Sequence, residues 1–122
     1  MTRLHRYFAI GAAVALSVSG PAFAHAKLIK SNPVAGSTVK FGPKSITLTF
    51  NERIVPAFSK FTVSMPAHGG MTVPVKTVVS PDGKRLVGTL TNRLEVGAYK
   101  VTWNAAGADG HKMTGDVSFK VG

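Results

Sequence analysis

Three residues of this chain have side chains whose types and settings could bring them onto one metal ion: His25, Asp109 and His111. His25 follows "PAFA" in the stretch "PAFAHAKL". If the chain is cut after Ala24, His25 becomes the first residue, and its free α-amine and ring Nδ1 can chelate one ion together. No internal histidine can do that. An α-amine titrates near pH 8, so deprotonating it at neutral pH costs about 1 kcal/mol, less than a strongly bound divalent ion returns. Nitrogen donors in a plane suit Cu(II) best among the first-row divalent metals. In "ADGHKMTGD" the residues Asp109 and His111 are two apart. In an extended segment such residues share a face, so a carboxylate oxygen and an imidazole nitrogen can meet one ion. Amine, two imidazoles and carboxylate then make a four-donor set.

A second group lies in "SMPAHGGMTV", which holds Met65, His68 and Met71. Two thioethers and an imidazole are a soft set that favours Cu(I). Met65 also continues the inward alternation of Phe61 and Val63, so packing and ligation compete as readings of it.

The N-terminal chelate depends on a cleaved leader. "MTRLHRY" is a short basic head, "FAIGAAVALSVSG" an apolar run short for a bilayer span, and "AFA" places small residues where a signal peptidase reads them. Residues 1–24 therefore read as an export peptide and residues 25–122 as one mature, exported domain that does not span the membrane. The chain has no cysteine, which excludes disulfides, thiolate catalysis, cysteine zinc sites and a blue-copper centre. Its net charge of +10 is spread over single lysines, with only Lys84 and Arg85 adjacent. A nucleic-acid partner would need that charge gathered on one element, so none is expected.

The elements that must position these residues are strands. Ile46, Leu48 and Phe50 alternate in "KSITLTF", as do Phe61, Val63 and Met65 in "KFTVSM". The same pattern gives Tyr99, Val101 and Trp103, then Val117, Phe119 and Val121. Asp82-Gly83 between "VKTVV" and "RLVGTL" marks a hairpin. About seven short strands without a helical pattern predict an all-β domain, an antiparallel β-sandwich of the immunoglobulin-like kind or a small Greek-key barrel.

"HAKLIKSNPVAGS", "ITLTFNERI" and "GAYKVTWNAAGADGHKMTGDVSFKV" resemble the CopC family of periplasmic copper-binding proteins over nearly the whole mature chain. The resemblance implies a cupredoxin-like β-sandwich that binds Cu(II) through the amine and ring of His25, with Asp109 and His111 completing the set. It also implies that Glu52, in "FNERI", supports the histidine from behind as a hydrogen-bond acceptor. An exposed Glu52 paired with Arg53 or a lysine is the plainer reading. Some family members carry a methionine-rich Cu(I) loop at the opposite end of the sandwich, of which Met65, His68 and Met71 would be a thinned version.

Two function classes follow. In the first, a periplasmic monomer carries or buffers copper for homeostasis or resistance and hands it to an inner-membrane importer of the CopD type. In the second, the N-terminal chelate is a histidine brace, as in copper monooxygenases, and the protein is an oxidase. Asp109 discriminates between them. Oxygen activation needs an open position at the metal, and a carboxylate in the fourth position fills it. A binding protein rather than an enzyme is therefore expected.

Overall fold

The computed structural model describes residues 25–122; the leader expected at residues 1–24 lies outside them. Among the described residues nine strands form two sheets. They are β1 (Leu28–Asn32), β2 (Thr38–Val39), β3 (Ser45–Phe50), β4 (Lys60–Met65), β5 (Met71–Val73), β6 (Val75–Val79), β7 (Arg85–Leu90), β8 (Gly97–Ala106) and β9 (Lys112–Val121). One sheet has the order β1-β3-β7-β6, the other β2-β9-β8-β4-β5. The β-sandwich expected from the alternation is thus present. Two strands beyond the expected seven, β2 and β5, are too short to show periodicity. β2 also makes the one parallel pairing among the described residues, alongside β9.

The alternating residues face inward as the sequence predicts. Ile46, Leu48 and Phe50 from β3 meet Phe61 and Val63 from β4, Tyr99, Val101 and Trp103 from β8, and Val117, Phe119 and Val121 from β9 in one buried cluster. Burying each such side chain stabilises by about 1.5–3 kcal/mol, the main term for a domain with no cross-links. Sheet separation is tight enough that small residues are required at crossing points. A Cβ at Gly88 of β7 would lie 2.1 Å from the Phe61 ring of the facing sheet; within one sheet, a Cβ at Gly115 of β9 would lie 2.5 Å from the indole of its register partner Trp103. Trp103 in turn packs edge-on against Phe50 with ring centres 5.2 Å apart.

β6 and β7 form the hairpin marked by Asp82-Gly83. Gly83 takes the left-handed backbone (φ +75°) that the turn requires. The Asp82 carboxylate accepts hydrogen bonds from the Ser80 hydroxyl and from the Lys84 backbone N–H. Those two bonds, with lesser contributions from the charges of Arg85 and Lys84, outweigh burial and hold its carboxyl below the usual range.

β8 and β9, paired along their whole lengths from Gly97↔Val121 to Ala106↔Lys112, set the long axis of the domain. At about 3.3 Å per residue, the two ends of this hairpin are on the order of 30 Å apart. The turn that joins them carries Asp109 and His111.

Candidate metal centre

The β8–β9 turn is built around glycine. The Gly110 N–H donates to the Gly107 carbonyl at 3.0 Å, closing a turn in which Gly110 takes a left-handed φ of +84°. The Gly107 N–H donates to the His111 carbonyl at 3.0 Å. Within this loop the Asp109 side chain folds back on its neighbour. Oδ1 accepts the His111 backbone N–H at 3.0 Å, and Oδ2 lies 2.8 Å from the His111 Nδ1. The backbone bond, then the ring bond, then the nearby histidines depress the Asp109 carboxyl below its ordinary value against a smaller opposing effect of burial. Asp109 is therefore an anion across the physiological range, ready to serve as an oxygen donor.

His25 reaches this turn from the other end of the chain. The Lys27 N–H donates to the Asn51 side-chain oxygen at 2.6 Å, and the Asn51 N–H returns a bond to the Lys27 carbonyl at 3.0 Å. This two-way clamp fastens the start of the described chain to the end of β3. Ala26 is buried at 2% exposure beside Gly107. With Ala26 as the plug, His25 is set over the turn. Its Nδ1 lies 3.6 Å from Asp109 Oδ2, and its ring meets the His111 ring edge-on with centres 4.6 Å apart.

One donor atom from each of His25, Asp109 and His111 lies within 4.8 Å of the other two. Donors about 2.0 Å from a shared ion stand roughly 2.8 Å apart when adjacent and 4 Å apart when opposite. Three donor atoms this close can be drawn onto one small ion. Both rings are more than half exposed, whereas the Asp109 side chain is only 14% exposed beneath them. A divalent ion can enter from solution and meet the carboxylate last. Two imidazoles and a carboxylate suit Cu(II) or another borderline divalent ion.

The remaining predicted residues are placed as follows. Glu52 is exposed in the bend after β3, and no hydrogen bond or ion pair joins it to His25 among the described residues. Its neighbour Asn51 makes the clamp instead, a contact that sequence reasoning missed. The signal available for it was an amide side chain directly after a strand, next to an exposed Glu. Met65, His68 and Met71 lie at the other end of β4, remote from the centre. Met65 and Met71 are register partners across β4 and β5, with His68 in the intervening 3-10 turn Pro66–His68. Met65 is partly buried against the core, and Met71 is exposed. Met113 packs against the core rather than toward the ligands.

A family model described as the CopC domain matches residues 28–122. The chain belongs to the CopC family. Copper resistance protein C of Pseudomonas syringae pv. tomato is 41% identical over 114 residues, covering 89% of this chain and 90% of that protein. The protein of the same name from Xanthomonas campestris pv. juglandis is 37% identical over 108 residues, with 84% of each chain covered. Among solved structures, PcoC, a methionine-rich copper resistance protein from Escherichia coli, aligns with a TM-score of 0.73 at 34% identity, covering 81% of this chain and all of that one. The CopC match begins after His25, so that residue joins the site through geometry and not through the family match.

Proposed function

We propose that this protein is a periplasmic copper-binding protein that holds Cu(II) between His25, Asp109 and His111, with the α-amine of a processed His25 as the fourth donor. The observation that carries the reading is the convergence of these three side chains at one end of the sandwich, with donor atoms close enough to be drawn onto one ion. The names of its relatives, copper resistance protein C, agree with that metal. Copper is here cargo. Asp109 would fill the position that an oxygen-activating enzyme keeps open, which favours a carrier or buffer serving copper homeostasis or resistance over an oxidase. Release to an inner-membrane importer of the CopD type, action as a monomer and Glu52 as a support for His25 belong to the same reading.

A second, softer site for Cu(I) is proposed at Met65, Met71 and His68. Register pairing of the two methionines supports it, since directly opposed residues have Cβ atoms about 5 Å apart on one face of the sheet.

The deciding experiment compares the domain beginning at His25 with the same domain retaining Ala24. Chelator-competed Cu(II) titration and electron paramagnetic resonance should show tight one-to-one binding and a nitrogen-rich tetragonal signal in the first. Both should be lost or much weakened in the second. Equal binding by the two forms would overturn the N-terminal chelate. Oxygen consumption by the copper-loaded protein with ascorbate, above that of free copper, would overturn the carrier reading.

A further inference from the structure

Two of the most exposed apolar side chains of the described residues stand on adjoining loops at the end of the sandwich away from the metal centre. They are Phe41, 80% exposed, and Val96, 77% exposed. The backbone that carries them is braced. Arg93 Nη1 donates to the Gly42 carbonyl at 2.9 Å, and a Cβ at Gly42 would lie 1.7 Å from the Leu94 carbonyl oxygen, so the two loops are in direct contact. Leu94 itself is buried in the core. The Gly122 N–H donates to the Val39 carbonyl at 2.9 Å, and a Cβ on Gly122 would touch Val96. Anchored from below, Phe41 and Val96 are held outward in water.

Charge frames the pair. Lys40 and Lys44 flank Phe41, Arg93 precedes Val96 on its loop, and Lys120 lies near the end of β9 on the same side. Glu95 is the single acid in residues 40–44 and 91–96. Isolated exposed apolar residues are ordinary on soluble proteins, but two side chains about four-fifths exposed, on loops in direct contact and with more cations than acids around them, are less so. Side chains that protrude this far suit a soft boundary better than a rigid protein surface. Cations around apolar tips fit the phosphates of anionic lipid, with the tips entering the boundary between headgroups and acyl chains.

We propose that this end of the domain, through Phe41 and Val96 framed by Lys40, Lys44 and Arg93, docks on anionic phospholipid bilayers. The docked domain holds the His25, Asp109 and His111 end on the order of 30 Å from the lipid and open to the compartment. That pose suits collection of an ion from solution. The docking rests on the opposite end of the molecule and stands or falls separately from copper binding.

The test is vesicle flotation of the metal-free protein beginning at His25, whose two sheets enclose their own core. The vesicles are phosphatidylcholine alone or phosphatidylcholine mixed with phosphatidylglycerol. Binding is expected only to the mixed vesicles, weakening as salt screens the lysines. Phe41→Ser with Val96→Ser should weaken it by about tenfold or more, the loss expected when two buried apolar contacts are removed. Ile29→Ser with Val34→Ser, a control pair of exposed apolar residues elsewhere, should leave it unchanged. Circular dichroism of both variants should match the parent, because neither pair is in the core. Absence of flotation, or flotation insensitive to the Phe41 and Val96 changes, would overturn the proposal. So would a concentration-dependent dimer in sedimentation equilibrium that those changes abolish in the absence of vesicle binding, since the face would then join two copies of the chain.

Discussion

Asp109 grips His111 twice, through the backbone N–H at 3.0 Å and the ring Nδ1 at 2.8 Å. One carboxylate thus shapes the turn and fixes the ring. When the Asp109 carboxylate accepts a hydrogen bond from the Nδ1–H of His111, the Nε2 atom is left free to face a metal.

Asp109→Asn separates these two duties. The amide oxygen can still accept the His111 N–H, so the turn and the melting temperature should be nearly unchanged. The amide nitrogen would donate to Nδ1, which moves the ring proton to Nε2 and removes the anionic donor. Cu(II) affinity should fall by at least about 10–100-fold, the usual effect of disturbing a ligand's orientation, because here a donor is lost as well. Competition titration against a chelator checks it, and unchanged affinity would mean that Asp109 is only a turn residue.

Gly107→Ala should act on the same carboxylate from below. A Cβ at this position would stand 2.9 Å from Asp109 Oδ1, the atom that accepts the His111 N–H. A side-chain end can move away at little cost to the fold, but moving it breaks the grip on His111. Copper affinity should drop by about tenfold while the melting temperature shifts by only a few degrees. A large loss of stability with affinity intact would contradict this account.

The acid limb of the stability curve should report on the β6–β7 hairpin. The carboxyl of Asp82 is depressed in the folded chain, so its stabilisation is complete above the ordinary carboxylate value and is lost as pH falls through the folded one. Asp82→Asn should therefore melt lower than the parent by a constant margin above about pH 5. The margin should shrink below about pH 4, where the carboxylate of the unfolded chain takes up protons first, and vanish once the folded one follows at lower pH. Thermal melts across that range decide it; a margin that grows in acid would reverse the assignment.

Gly115→Ala should damage the core without touching a ligand. Its Cβ would press on the Trp103 indole at 2.5 Å, and Trp103 is wedged against Phe50. Overpacking of this kind costs about 1–3 kcal/mol. The chain has a single tryptophan, so denaturation followed by fluorescence reads this position directly. An unchanged denaturation midpoint would show that the indole can shift off its register partner more easily than its packing implies.

The two methionines should respond differently. Met71→Ala, at an exposed position, should lower Cu(I) affinity at constant stability, whereas Met65→Ala should lower both because Met65 also packs on the core. Cu(I) competition with a chromophoric chelator, alongside melts, separates the effects. Identical Cu(I) binding by both variants and the parent would remove the second site.

Much of this molecule is written locally. The alternation in "SITLTF" and "GAYKVTW" is a property of neighbours in the chain, because successive strand residues point to opposite sides whatever else the chain does. The inward set of the long strands and the hairpin at Asp82-Gly83 therefore follow from the residues alone; Asp109 and His111 do meet, but in a turn around Gly110 and not in the extended segment that their spacing suggests. The short strands β2 and β5 do not, since two or three residues carry no period and are held by the partners they meet. The mutual bonds between Asn51 and Lys27 were equally hidden, and attention fell on Glu52 beside it.

The meeting of His25 with Asp109 belongs to the tertiary structure. It depends on β1 pairing with β3, on Asn51 clamping Lys27 and on Ala26 being buried in the core beside the turn. By itself the sequence determined which donors exist and which of them are close neighbours in the chain. Only the packed sheets decided that the start of the domain and the β8–β9 turn lie within one ion's reach, because that distance is set by contacts between segments far apart in the chain, which no local pattern encodes.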